Sequence, residues 1–288
     1  MPGLLALVKL RGKNQFRSRI GRGMASLLHY QILIEACLGN CSVPEEMITW
    51  ASGVNPRNPV TSFTKLAINA AHLCGEIRKA VTFDHVLDKG DITSLKSALN
   101  TATILESKIQ SWSYMFMSDS QRRPQTIPNP CLSTTPADQE APKTIQTYPD
   151  TDSVSILNIC RTVRSHLCCE LLTLIKCLRQ RGEALKAPNS ALKSYCEQTT
   201  LAMQEEVCSS VPWILGEVND CGKPVFVYEP QAIQGYCLLW PLKQILISGY
   251  ASDRRKNWIR HKLEYIGDTL GMKMATQFAR EVEVEERY

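Results

Sequence analysis

The chain has 288 residues, 44% hydrophobic and 21% charged, with 33 Lys and Arg against 28 Asp and Glu for a net charge of +5. This balance excludes a disordered chain, and the longest apolar runs fall far short of the ~20 residues that span a bilayer, so no transmembrane helix is expected. Such a length buries roughly three quarters of the unfolded surface, enough for one large domain or two modest ones. The positive charge is concentrated at the start: Lys9, Arg11, Lys13, Arg17, Arg19 and Arg22 precede the first acid, Glu35, and the rest carries 27 cations against 28 acids. A chain with that distribution is not a generally basic nucleic-acid binder. The Arg-rich start has the composition of a mitochondrial presequence, whereas Leu4 to Val8 is too short for a secretory core and no small-residue cleavage site follows it.

Apolar spacing predicts helices almost throughout. The first runs from about Arg19 to Leu38, with Met24, Leu27, Leu28 and Ile32 on its stripe, and Gly39-Asn40 ends it. Ser42 then caps a short helix carrying Pro44, Glu45, Met47, Ile48 and Trp50. Asn58-Pro59 opens a helix to about Lys79, through Phe63, Leu66, Ala67, Ala70, Leu73 and Cys74. Another spans Asp91 to about Met115, with a stripe of Ile92, Leu95, Leu99, Ala102, Leu105, Ile109 and Trp112 or Tyr114. From Ser118 to Asp150 the composition turns to Pro, Thr, Ser, Gln and Asn, too poor in apolar surface to offset its ordering entropy, and a disordered loop is expected. The longest regular stripe follows in Ile156, Cys160, Val163, Leu167, Leu171, Leu174 and Leu178, with Arg161, Arg164 and Glu170 off it, and Gly182 stops it. Pro188 to Val207 is helical up to a break at Val211-Pro212, and Asp220 to Lys223 is a turn between short extended pieces.

The run from Pro230 to Leu246 combines most apolar volume with least charge and reads as the buried central helix. Ala232, Ile233, Tyr236, Cys237, Leu239, Trp240, Ile245 and Leu246 cover most of its cylinder; Pro230 suits its first turn, and Pro241 should kink it. Ser252 caps a helix carrying Trp258, Ile259, Leu263 and Ile266, and Gly267 and Gly271 bracket a junction into a last helix with a charged tail. The expected fold is all-α, an irregular array of about eight to ten helices with one long disordered loop. Its parts are an N-terminal helical part over 1–117, a Pro/Ser/Thr-rich loop over 118–150 and a C-terminal helical part over 151–288 that packs with the first as one domain.

The chemistry searched for is thin. No P-loop, dinucleotide-binding, nucleophile-elbow or HExxH pattern is present. The 12 cysteines form no Cys-x2-Cys; Cys37 and Cys41, Cys160 and Cys168, and Cys169 and Cys177 have helix-face spacing and read as small buried hydrophobes in a reducing compartment. His166 cannot converge with Cys168 or Cys169 on one helix, so no Cys-His nucleophile forms there. His85 with Asp84 and Asp88 reads as a solvated loop. Neither catalytic, metal nor cofactor residues are expected. Arg254, Arg255, Lys256, Arg260 and Lys262 form the densest basic cluster, fit for nuclear import or phosphate contact and equally for a solvated helix face over Trp258 and Leu263. Trp213, Tyr236 and Trp240 are the aromatics that could line an effector pocket, with ordinary core packing as the plainer reading.

Several of these stretches also carry a likeness. Gly235-Tyr236-Cys237-Leu238-Leu239-Trp240-Pro241-Leu242, then Tyr265-Ile266-Gly267-Asp268-Thr269-Leu270-Gly271-Met272, resemble the C-terminal part of the regulatory region of fungal binuclear zinc cluster transcription factors. Gly3 to Gly12 with Gln15-Phe16-Arg17, and Cys208 to Gly216, resemble earlier segments of that region in the same order. The resemblance implies an all-α regulatory module of a nuclear transcription regulator, of secondary metabolism among other targets. It implies control exercised through protein or effector contacts, partners among transcription-machinery or regulator proteins, and a homodimer as one arrangement. The chain departs from the family pattern in carrying no zinc cluster, so direct DNA binding, and zinc itself, are expected only of an upstream segment. A folded, retained N-terminus follows from the same likeness. A helical small-molecule-binding or scaffold protein, an enzyme, and a cytoplasmic or mitochondrial location are the alternatives.

Overall fold

The computed structural model describes residues 30–37, 43–45, 47–48, 59–82, 89–130, 141–182, 187–225 and 232–285, together with Ala6 and Leu10. Their elements are α1 (Pro59–Thr82), α2 (Lys89–Ser118), β1 (Gln125–Pro128), β2 (Thr144–Thr147), α3 (Thr151–Gln180), α4 (Ala187–Ile214), α5 (Ala232–Ile247), α6 (Asp253–Thr269) and α7 (Lys273–Glu285). The all-α class is therefore correct. The chain divides into two compact units, Met1–Leu105 and Glu106–Tyr288, so the division falls inside α2 and not at the proline-rich stretch.

In the first unit α1 buries Phe63, Ala67, Ala70, Cys74 and Ile77, the stripe that its three- and four-residue steps predict. The first half of α2 buries Leu95, Leu99, Ala102 and Leu105. Residues 30–37 are helical and bury Ile32, Leu33 and Ala36. The Arg78 guanidinium of α1 donates to the Ala36 carbonyl at 2.7 Å and to that of Cys37 at 3.3 Å. These carbonyls gain a charged donor from another helix.

The second unit is built on α3. Asp150 caps it, its carboxylate accepting the Ser153 N–H at 2.6 Å and the Ser153 hydroxyl at 3.0 Å. α3 and α4 form the most extensive helix pair among the described elements. They run antiparallel, because Asn158, Arg161 and Arg164 meet Ser210, Glu206 and Met203 in turn. α5 packs on α3, α4, α6 and α7, and α6 and α7 pack on each other.

Three expectations need correction. The most deeply buried helix is α3, with 20 of its 30 residues enclosed, rather than the 230–246 run, although α5 packs on four helices. α5 leaves Ile233 54% exposed, because only its later turns are enclosed; Pro230 lies outside the described residues. The loop expected over 118–150 is narrower: β1 and β2 pair antiparallel, with Gln125 opposite Thr147 and Ile127 opposite Ile145, and residues 131–140 lie outside the described ones. Burying Ile145 and Tyr148 beside α4 supplies apolar surface that composition averaged over the whole stretch hides. Finally, α4 continues past Pro212 to Ile214. A proline there removes one ladder bond in the last turn, a small loss beside the burial of Val211 and Ile214.

Candidate functional site

The most concentrated polar chemistry in the second unit lies inside it, on α3. The Arg161 guanidinium is buried and uses four hydrogen bonds. Nε donates to Glu206 Oε2 at 2.8 Å, Nη1 to Tyr148 Oη at 2.7 Å and Asn158 Oδ1 at 2.9 Å, and Nη2 to Gln146 Oε1 at 2.8 Å. Desolvation works against its charge, but Tyr148 and Glu206 more than offset it, so Arg161 holds its proton more tightly than in water. Burial pushes the Tyr148 hydroxyl up, against the pull of Arg161. One turn along, Arg164 donates through Nε and Nη2 to Glu106 Oε1, at 2.9 and 2.7 Å. The Tyr195 hydroxyl donates to Glu106 Oε2 at 2.6 Å, and burial followed by this carboxylate pushes it up to about 12.

A second buried group lies further along α3. Gln244 of α5 donates from Nε2 to His166 Nδ1 at 3.0 Å, which puts the neutral imidazole's proton on Nε2, 3.8 Å from Glu170 Oε1. Both groups tie α3 to its neighbours by charge-assisted or amide hydrogen bonds. The Arg161 and Arg164 groups spend their donors on acceptors within the unit and fix helix register, whereas Gln244 Oε1 is buried without a hydrogen-bond partner among the described residues.

Cysteine chemistry is suppressed in the same core. Burial pushes the thiols of Cys160 and Cys169 up to about 12 and that of Cys208 up to about 11. At pH 8 a thiol with such a value is ionised in roughly one molecule in a thousand or fewer, so it makes a poor nucleophile. Mass-spectrometric mapping after iodoacetamide at pH 8 should therefore find the exposed Cys221 alkylated, with Cys160 and Cys208 labelled only after unfolding. The linkage has a sign. Unfolded thiols ionise near 9.0 while these folded ones keep their protons to about 11 or 12, so the folded state binds more protons in between. Their stabilising contribution is complete below about pH 9 and is lost as the pH rises toward 11; the melting temperature should fall over that interval.

The sequence-predicted aromatics have separate surroundings. Trp240 is 1% exposed in the core of α5. Trp213, near the end of α4, lies 5.5 Å from the Tyr148 ring and donates its indole N–H to Asp220 at 3.1 Å. Tyr236 is half-buried. Much of the basic cluster is engaged within the unit: Arg255 donates to Glu205 at 2.8 Å, Lys262 pairs with Glu217, and Arg260 donates to Asn257 at 2.8 Å. Arg255 and Lys262 also lie over the Trp258 ring, at 6.0 and 5.6 Å from its centroid. Arg254 points to solvent and Lys256 is half-buried. Lys9, Arg11, Lys13, Arg17, Arg19, Arg22, Asp84, His85 and Asp88 lie outside the described residues.

Arg161 and Arg164, read from sequence as lying off the apolar stripe, are buried together with Glu106, and Tyr195 joins them; a signal for this exists in the sequence. Leu157, Arg161, Arg164, Cys168, Leu171 and Ile175 recur at four and three residues, a second stripe with two arginines at core positions. Glu106 likewise follows Ala102 by four on α2, whose stripe is otherwise apolar.

Among the described residues no group of three or more His, Cys, Asp or Glu is placed to hold a metal ion, and no helix is long and apolar enough to cross a membrane. No protein-family model matches the chain, and no curated protein or solved structure matches it.

Proposed function

We propose that the chain is the helical regulatory module of a transcription regulator, working through contacts with other proteins or an effector and without a reaction of its own. The observation that carries this reading is the seam between the two stretches that bear the resemblance. A Cβ on Gly235 of α5 would lie 2.5 Å from Leu270 Cδ1 and 3.0 Å from Ile266 Cγ2. On α6, a Cβ on Gly267 would lie 2.0 Å from Thr276 Oγ1 and 3.1 Å from the Thr276 backbone nitrogen. A side chain at Gly235 would push the end of the Leu270 side chain aside, and one at Gly267 would press on Thr276, which favours glycine at these positions of the resembling segments. Segments about 20 residues apart in sequence thus meet as one packed element, which supports reading them as parts of one region.

The engagement of Arg255 and Lys262 with Glu205 and Glu217 further supports contact with proteins over contact with DNA, since cations already paired gain less from phosphate. The test is to fuse the full chain to a heterologous DNA-binding domain and measure a reporter in nuclei. A change of several-fold relative to that domain alone is expected, in either direction. A reporter left at the level of the DNA-binding domain alone overturns the reading.

A further inference from the structure

The outward stripe of α7 borders a surface depression of about 480 Å³, lined by Lys273, Thr276, Gln277, Arg280 and Glu281. Steps of three and four put these residues on one helix face, and the seven-residue separation of Lys273 and Arg280 amounts to two turns, about 10 Å of axis.

Charge here is unbalanced. Glu281 is the one carboxylate of the lining, and it is taken: Lys243 of α5 donates to it at 2.8 Å and Gln277 at 2.5 Å. The Lys243 bond in particular holds the Glu281 carboxyl below its ordinary range, and Lys243 lies 4.0 Å from the centroid of Phe278. Lys273 and Arg280 are exposed and form no ion pair among the described residues. Among the described side chains here, Lys243, Lys273 and Arg280 against the engaged Glu281 leave two positive charges. Elsewhere in the unit Arg161, Arg164, Arg255 and Lys262 each have an acidic partner.

We propose that this depression docks an acidic segment of a partner protein, with two of its carboxylates pairing with Lys273 and Arg280. The inference rests on reading the chain as a module that acts through protein contacts. Carboxylates three residues apart in a segment with polyproline-II backbone share one face and lie about 9 Å apart, close to the spacing of the two cations. Gln277 and Thr276 lie between them as polar contacts. A continuous run of phosphates fits less well, because the Glu281 carboxylate sits beside Lys273 and Arg280 in the same lining.

The test uses the full chain and a fluorescein-labelled peptide of twelve residues, with Glu at every third position among Ser, Ala and Leu, read by fluorescence anisotropy. At about 50 mM salt, where surface charges are weakly screened, saturable binding is expected. The double variant Lys273→Glu/Arg280→Glu should weaken it about tenfold or more, since each contact turns from attraction to repulsion. Arg254→Glu, on α6, should change it less than twofold, and circular dichroism should find all three proteins equally helical. Absence of binding, equal weakening by Arg254→Glu, or tighter binding of a duplex oligonucleotide through the same two residues overturns the proposal. A fusion that moves the reporter, combined with peptide binding unaltered by the double variant, sinks this surface alone. A reporter unmoved by the wild-type fusion sinks the functional reading itself.

Discussion

Replacing Glu106 by Ala should lower the free energy of unfolding by about 3–5 kcal/mol, the usual cost of leaving one partner of a buried ion pair without the other. The size follows from what stays behind. The Arg164 side chain is 8% exposed and loses both bonds to Glu106 Oε1, while the Tyr195 hydroxyl loses its acceptor at 2.6 Å. Glu106→Leu combined with Arg164→Met removes both charges and should recover most of the loss, because the desolvation cost disappears with them. Urea denaturation followed by circular dichroism reads the Glu106→Ala loss and, on Glu106→Leu, Arg164→Met and their double, gives the coupling directly. If the two single losses simply add in the double variant, the pair does not act as a unit and the account given for the α3 core is wrong.

Trp240→Ala should cost a similar amount, about 3–5 kcal/mol, because the indole is closed off from solvent and the helix around it cannot collapse into the space. Its neighbours Leu239, Leu242 and Ile245 are also buried, and α5 is held by four other helices. Trp240→Phe should cost clearly less, since most of the buried area remains. The comparison separates the two roles weighed for this residue. An indole lining an effector pocket could be truncated with little change in stability; an indole that fills the core cannot. A melting temperature close to wild type for Trp240→Ala would return Trp240 to the pocket.

Most of the helical architecture was legible before any coordinates, for one reason. Steps of three and four among Phe63, Ala67, Ala70 and Cys74, or among Leu95, Leu99, Ala102 and Leu105, record which side of a helix must leave water, and that demand is local to each helix. Ser252 was equally legible as a cap, because its hydroxyl accepts the Arg255 N–H three residues away at 3.2 Å. β1 and β2 were not legible. They are four residues each, and the stability of the ladder comes from Ile145 and Tyr148 meeting other elements, which no window over a Pro- and Thr-rich stretch contains.

The sequence by itself determined that the chain is helical, where most helices begin and end, and which faces of them are apolar. Tertiary structure decided which helix is most deeply buried and which charges enter the core. Arg161 and Arg164 lie on a stripe of α3 that could have faced solvent, and taken singly a buried guanidinium is among the most costly residues to enclose. Only the arrival of Glu106 from α2, Glu206 and Tyr195 from α4, and Gln146 from β2 makes that burial tolerable. Those partners lie 15 to 58 residues away in sequence, and complementarity at that range becomes visible only when the chain has folded.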